Sequence, residues 1–434
     1  MQDRMKVTTM QMSMLVGSLL IASNMNTMPT ALTMASEQDA WYAYLFPIPY
    51  GIFMGYLLWR LMRFNPEKNM YEMMQYSCGK WLGGLLNGIL IAYLMLDLIS
   101  QLRIYSDFFS SSILLRTPQI YILLMTMLLL SYYAGGSMEH LFRTNVVFIT
   151  LFLSLFALTP LLLLNEIDMQ KLKPFLSGGV AQPLKGGLLA LGSFTDLIIF
   201  GSFLHHVRKP RDIYIAMKMG VIYSAMMLTI WLFCVVSVVS PILSSRVLYI
   251  GWILVQQIHI TDFLDRIDLF LISLYVPVLL IKYAALYIAI LTGIASYTKK
   301  KKFDFINLPM GIVITILAAI SFDNTDEVSL FYAFGMLPLS FGVQILFLGS
   351  LFIGLAIRKK KSMPPDLRIS GYGIGVWLTL VGAIASVVGG TMVGNMRGIY
   401  GDIGSTLFIC FLVLCVFMSF KEYGKGIEAR GKNS

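Results

Sequence analysis

Gly17-Ser18-Leu19-Leu20-Ile21-Ala22-Ser23-Asn24-Met25-Asn26-Thr27-Met28-Pro29 decides the fold, in concert with a second stretch, Gly192-Ser193-Phe194-Thr195-Asp196. Each lies near the middle of a run apolar enough to cross a bilayer, and each interrupts that run with small, polar or helix-breaking residues. Alone, either one is explained by small residues that let membrane helices pack closely. As a pair they open consecutive five-helix blocks of opposite starting orientation. Paired interruptions in matching positions point to an inverted-repeat transporter fold with a site near the bilayer midplane.

The rest of the chain agrees. Of its 434 residues 57% are hydrophobic and 13% charged, and its mean hydropathy is +0.75. Soluble domains carry about 25% charged residues. A span needs about 20 apolar residues, which places helices near 10–34, 41–62, 82–105, 118–136, 144–164, 186–207, 213–240, 266–293, 308–322, 329–357, 372–394 and 404–420. The formal charge of +10 is spread over alternate connectors: Arg60, Arg63, Lys68 and Lys80, then Arg208, Lys209 and Arg211, Lys299 to Lys302, and Arg358 to Lys361. Glu37, Asp39, Asp323, Asp326 and Glu327 fall in the others. Basic loops are cytoplasmic, so both termini are expected inside, and the charge needs no nucleic acid to explain it.

The organisation predicted is a cytoplasmic N-terminus (1–9), a first five-helix repeat (10–164) and an extracytoplasmic connector (165–185). A second, inverted repeat follows (186–357), then a basic cytoplasmic loop (358–371), two additional transmembrane helices (372–420) and a cytoplasmic tail (421–434). The fold class is therefore an all-α polytopic membrane protein with a ten-helix inverted-repeat core plus two C-terminal helices. The connectors 165–185 and 241–265 are expected to hold surface helices. Met1 to Lys6 leads into a segment with polar residues and Pro29, so no cleavable signal is expected.

Charge inside a membrane costs roughly 2.5–3.5 kcal/mol at a helix centre. Asp196 and Lys282 are the deepest such residues, and Asp97 lies toward the outer half of its helix. One reading pairs Asp196 with Lys282, the lysine holding a position where a coupling cation would otherwise sit; in the other, Lys282 snorkels and Asp196 bonds nearby hydroxyls. Asp265, Arg266 and Asp268 open the eighth helix, where acids suit the macrodipole. Arg103 with Asp107 and Glu139 with Arg143 are i, i+4 helix-end pairs. Cys78, Cys234, Cys410 and Cys415 form no CxxC motif. His140, His205, His206 and His259 make no metal cluster, and neither a nucleophile with its base nor a phosphate loop is present. The chain is read as not an enzyme, with no cofactor and no metal. The basic run at 358–361 would attract anionic lipid of the bilayer, and is more simply read as a topology signal.

Several ordered motifs resemble the spore germination permeases, the B subunits of nutrient germinant receptors within the amino acid/polyamine/organocation superfamily. They are Ala35 to Trp41 after the first helix, Gly79-Lys80-Trp81-Leu82-Gly83 before the third, and Arg103 with Asp107 followed by Leu115 to Pro118. Glu139 with Arg143, Leu172 to Pro174 with Pro183 to Gly186, and Asp265 to Asp268 followed by Tyr275 and Lys282 continue the match, over roughly residues 8–357. The chain departs from the family at Ala22, where glycine is usual, at Asp265, commonly Glu, and at Tyr275, commonly Trp. The resemblance implies a LeuT-like core, a pocket between helices one, three, six and eight, and A and C partner subunits in the membrane of a dormant spore. It also implies a protein that senses a small nutrient, often an amino acid.

On this reading a zwitterion sets its carboxylate against backbone N–H groups freed along Ala22, Ser23, Asn24, Asn26 and Thr27. Its ammonium meets carbonyls near Ser193, Thr195 and Asp196, and Tyr93, Asp97 and Phe194 shape the pocket for the side chain. Asp196, Lys282 and Tyr275 form the candidate ion-pair or coupling site. The alternative is a proton-coupled secondary transporter of an amino acid or amine with Asp196 or Asp97 as relay. A plain membrane anchor would need neither buried charges nor broken helices.

Overall fold

A computed structural model of the chain describes residues 7–136, 138–173, 181–207, 209–258, 267–298 and 304–359, with isolated positions beyond. Asp265, Arg266, His259 and Arg208 lie outside the described residues. So do the loop 360–371, the tail 421–434 and nearly all of the two C-terminal spans.

The described residues are helical and contain no strand. The first span is split into α1 (Thr9–Asn24) and α2 (Met28–Ser36), and a tightly wound 3-10 segment, Glu37–Leu45, leads to the second span, α3 (Ile48–Phe64). A short α4 (Met70–Cys78) precedes the long third span α5 (Lys80–Ser112), followed by α6 (Gln119–Gly135) and α7 (Met138–Leu162). The sixth span is α8 (Ala181–Phe194) continued by 3-10 winding over Thr195–His206. The seventh, α9 (Pro210–Cys234), ends in a π-wound turn, Val235–Val239. Two short helices, α10 (Pro241–Ser244) and α11 (Ile250–Gln256), precede α12 (Ile267–Ala295) and α13 (Asp304–Ile320). The tenth span is α14 (Thr325–Leu330), a π-wound turn over Phe331–Gly335, and α15 (Met336–Lys359). Seven helical runs among the described residues are long and apolar enough to cross a membrane.

Local chemistry sets the boundaries. Thr8 Oγ1 accepts from Gln11 N at 3.2 Å while Gln11 Oε1 accepts from Thr8 N at 2.9 Å, a reciprocal cap that starts α1. Asn69 with Glu72 does the same for α4. Gly79 joins α4 to α5 at φ +86°, a conformation open to glycine at little cost. At Gly83 an added Cβ would press on the backbone of Met74 and Gln75, so this glycine lets α5 cross α4. Both glycines belong to the motif before the third helix.

Packing follows an exchanged pattern. α1 lies on α9, the second half of the sixth span lies on α3, and α3 also packs on α9. Spans one and two thus interlock with six and seven, while α12 closes against α7, α5 and α1, and α6 pairs with α13. The outward faces are apolar: α6 exposes Leu124, Met125, Leu128 and Tyr132, and α13 exposes Ile312, Ile316 and Ile320. Such faces suit lipid, because a helix bonds the backbone groups of its interior to one another.

Candidate functional site

In the first span the break runs from Met25 to Thr27, and the side chains explain it. Asn24 Nδ2 donates back to Leu20 O at 2.6 Å, the kind of local bond that competes with helix, and Pro29 sits in the first turn of α2, where its missing N–H does no harm. Carbonyls left over at a helix end need partners, and four here have them. Tyr275 Oη donates to Ala22 O at 2.5 Å, Tyr44 Oη to Asn24 O at 3.0 Å and Trp231 Nε1 to Met25 O at 2.9 Å. Gly251 N donates to Asn26 O at 3.3 Å. Its close approach needs glycine, since an added Cβ would meet the Met25 carbonyl. The neighbouring Thr30 hydroxyl donates to Val247 O at 2.6 Å.

The sixth span behaves differently from expectation. There is no gap; the chain passes directly from α-helical to 3-10 winding at Thr195. Ser193 Oγ donates to Ala190 O at 2.8 Å and Thr195 Oγ1 to Gly192 O at 2.6 Å. Gln344 Nε2 from α15 donates to Thr195 O at 2.8 Å, and Gln344 in turn accepts from Tyr50 Oη at 2.5 Å. Lys282 Nζ lies 2.6 Å from Asp196 Oδ2, with the lysine side chain 0% and the aspartate 4% exposed. Lys282 therefore points into the bundle and does not snorkel.

Two small cavities lie between these features. One, of about 40 Å³, is polar, with Ser23, Asn26, Thr27, Gln101, Tyr283 and Tyr332 in its wall and Ala22 and Tyr275 beside them. The other, of about 10 Å³, is bounded by Met28, Tyr93, Asp97, Thr195, Asp196 and Tyr332, with Ser193 at its edge. That is room for about one water-sized group. A larger cavity of about 250 Å³ leads from Arg246 and Asp326 to Thr27, Met28 and Tyr332.

Most of the expected site residues come together around these cavities. Asn24 and Phe194 do not: both are fully buried in packing and line none of the three. Tyr275 and Lys282 share α12 but stand about 10 Å apart along it at 1.5 Å per residue; the tyrosine serves the first break and the lysine the sixth span. Arg103 pairs with Asp107 at 3.2 Å and also donates to Ala319 O at 2.8 Å, and Glu139 pairs with Arg143.

Three residues were not foreseen. Gln101 Nε2 holds Asp97 Oδ1 at 2.8 Å, a contact legible from its position four residues beyond Asp97. Trp231 caps the Met25 carbonyl. Tyr332 lines all three cavities from the π-wound turn of the tenth span, and such turns gather at functional sites.

Electrostatically the core is uneven. Asp97 and Asp196 are 1% and 4% exposed, and Lys282 is the ammonium that faces them. Asp97 Oδ2 is buried without a hydrogen-bond partner.

A split first span, a sixth span that changes winding at Thr195, exchanged packing and a buried polar core define an all-α membrane protein of the LeuT-like fold. The bundle superposes on Mhp1, a nucleobase-cation-symport-1 family transporter in a closed conformation with bromovinylhydantoin bound, with TM-score 0.63 at 11% identity over 98% of this chain and 94% of that one. It also resembles the Eremococcus coleocola manganese transporter, with TM-score 0.54 at 12% identity over 96% and 94% of the two chains. The family model for spore germination proteins matches residues 6–327, and the chain belongs to that family. YfkT of Bacillus subtilis is 26% identical over 78% of this chain and 93% of its own length. Spore germination protein KB of the same organism is 24% identical over 83% and 96%, and spore germination protein B2 is 21% identical over 61% and 73%. Neither the relatives nor the fold neighbours are enzymes.

Proposed function

We propose that the chain is the membrane subunit of a spore nutrient germinant receptor, binding a small zwitterion, an amino acid, in its central pocket and signalling to A and C partner subunits. The observation that carries this is the unpartnered carboxylate oxygen of Asp97, buried at the junction of the two interrupted spans. A buried carboxyl oxygen without a hydrogen-bond partner is expensive, so a donor such as a ligand ammonium is expected there. The carbonyls near Ser193 to Asp196 already accept hydrogen bonds, which moves the ligand's ammonium from them to Asp97. The carboxylate faces the N-terminus of α2 at Thr27 and Met28, where the helix dipole is positive, with Ser23 and Asn26 beside it.

Both termini are cytoplasmic in this proposal, and the bilayer is the spore inner membrane or the cell membrane. The 250 Å³ cavity beside Arg246 and Asp326 then opens to the outside, and Tyr332 stands between it and the pocket. The segment 240–258 is bonded to the first break through Gly251 and Thr30. Binding biases the arrangement of the bundle only through different affinity for two states, and this strap carries the bias to the surface on which partners dock.

A thermal-shift screen of the purified protein against amino acids, nucleosides and sugars tests the reading. A native-state ligand at a hundred times its Kd adds about 2.7 kcal/mol. A selective shift by amino acids, lost in Asp97→Asn, is expected; a folded protein that no amino acid stabilises sinks the idea. The same Asp97 oxygen in a transporter fold supports a second reading, a proton-coupled carrier of an amino acid or amine with Asp97 or Asp196 as relay. Uptake driven by a pH gradient in proteoliposomes would select the carrier; binding without uptake selects the sensor.

A further inference from the structure

We infer that the ligand carries a short apolar side chain, a branched alkyl group of three or four carbons, seated in an aromatic chamber beside the polar cavity. The inference rests on the reading of the central site as an amino acid pocket and names which amino acids it takes.

This chamber has a volume of about 40 Å³, and its wall includes Phe152, Trp231, Trp252, Val255, Leu271 and Ile272. Asn26, Phe108 and Tyr275 line both it and the polar cavity. A bound molecule with its charged end on Ser23, Thr27 and Asp97 adjoins two spaces: this chamber past Asn26, and the larger cavity past Thr27 and Tyr332. The larger one carries Arg246 and Asp326 and is the way in on this reading; the chamber is the apolar one of the two.

The chemistry of that space is one-sided. Trp231 Nε1 is spent on Met25 O, Tyr275 Oη on Ala22 O, and Gly251 N on Asn26 O. The bonds that cap the first break thus remove polar groups from the chamber. An ammonium, carboxylate or amide placed here would lose its water and find little in return, whereas an alkyl group loses nothing.

Size discriminates as well. A water-sized sphere occupies about 10–15 Å³ of such volume, so the chamber holds about three. Isopropyl and isobutyl groups match; an indole does not. The walls resist expansion because their rings interlock. Phe152 and Phe156 lie 5.4 Å apart, Phe156 and Trp231 5.1 Å, Phe152 and Tyr275 6.0 Å, and Phe108 and Trp252 6.0 Å between centroids. Such offset and edge contacts are favourable geometries.

The test is equilibrium binding to the full chain in lipid nanodiscs, using glycine, alanine, valine, leucine, phenylalanine, tryptophan, aspartate and lysine. Valine and leucine are expected to bind about tenfold or more tighter than glycine, with aspartate, lysine and tryptophan weakest. Val255→Phe fills the chamber and should weaken leucine about tenfold while changing alanine by less than about twofold. Leu271→Ala enlarges it and should improve phenylalanine relative to valine, which keeps the test open if Val255→Phe fails to fold. If aspartate or lysine binds as tightly as leucine, or if both variants weaken alanine and leucine equally, the chamber is not the side-chain site, although the pocket stands. If no amino acid binds the folded wild-type chain, the pocket and the chamber fall together.

Discussion

The interrupted first and sixth spans occupy matching places in the two repeats, yet they solve opposite problems. In the first, the backbone opens over Met25–Thr27, and its acceptors are consumed by Tyr44, Trp231, Tyr275 and Gly251. What remains toward the cavity is a helix N-terminus and the side chains of Ser23, Asn26 and Thr27. In the sixth, the backbone never opens; its charge is answered by Lys282, and Gln344 adds a side-chain donor to Thr195 O. One break is prepared for an outside partner, and the other is closed by partners from within the chain. The symmetry of the fold therefore does not extend to its chemistry.

The largest test of this contrast is the ion pair. Removing one member of a buried pair leaves an uncompensated charge and costs about 3–5 kcal/mol. Lys282→Met and Asp196→Asn should each lower the folded yield and Tm sharply, whereas the double variant should recover most of the loss. A double variant as crippled as either single one would rule out simple compensation. It would instead give Lys282 a task that the sixth span's neutrality does not explain.

Next come the caps of the first break. Trp231→Phe leaves the Met25 carbonyl buried and unanswered, and Tyr275→Phe does the same to Ala22. Each should cost about 1–3 kcal/mol of stability, the price of an orphaned buried acceptor, measured by denaturation in detergent. Gln344→Leu on the other side orphans Tyr50 Oη and removes a side-chain donor from Thr195 O, whose 3-10 winding remains, and should fall at the lower end of that range. The difference lies in binding: ligand affinity should drop with the first two, which hold the pocket's wall, more than with the third.

How much of this was legible follows from what each level of structure depends on. The break in the first span was readable because Ser23, Asn24, Asn26 and Pro29 act locally, through backbone competition and a missing N–H. The approach of Lys282 to Asp196 was readable as one of two options, since charge in a bilayer must point inward or climb out. The continuity of the sixth span was not readable. Thr195 and Ser193 bond their own helix, and Gln344 arrives from a span about 150 residues later. Phe194 and Asn24 illustrate the same limit: their chemistry suits a pocket, but the helical phase turns both into packing. Tyr332 carries no signal in sequence because a π-wound turn shifts its phase without a marker residue.

The smallest prediction compares two serines. Ser23 and Ser193 are one on each interrupted span, and both hydroxyls contact a backbone carbonyl four or three residues back. Ser193 bonds Ala190 O at 2.8 Å in a buried setting, so its hydroxyl is already used. Ser23 reaches Leu19 O only at 3.4 Å, accepts from Asn24 Nδ2 at 3.5 Å, and meets the Tyr332 hydroxyl in the wall of the polar cavity. Long bonds are weak ones, so a ligand carboxylate entering this cavity competes for the Ser23 hydroxyl with weak bonds and with the mobile hydroxyl of Tyr332. Both alanine substitutions should change stability by no more than about 0.5 kcal/mol. Ser23→Ala should nevertheless reduce amino acid affinity by about two- to tenfold, the worth of one hydrogen bond, while Ser193→Ala leaves it within about twofold. Equal losses at both positions would mean that the ligand draws on the two spans alike.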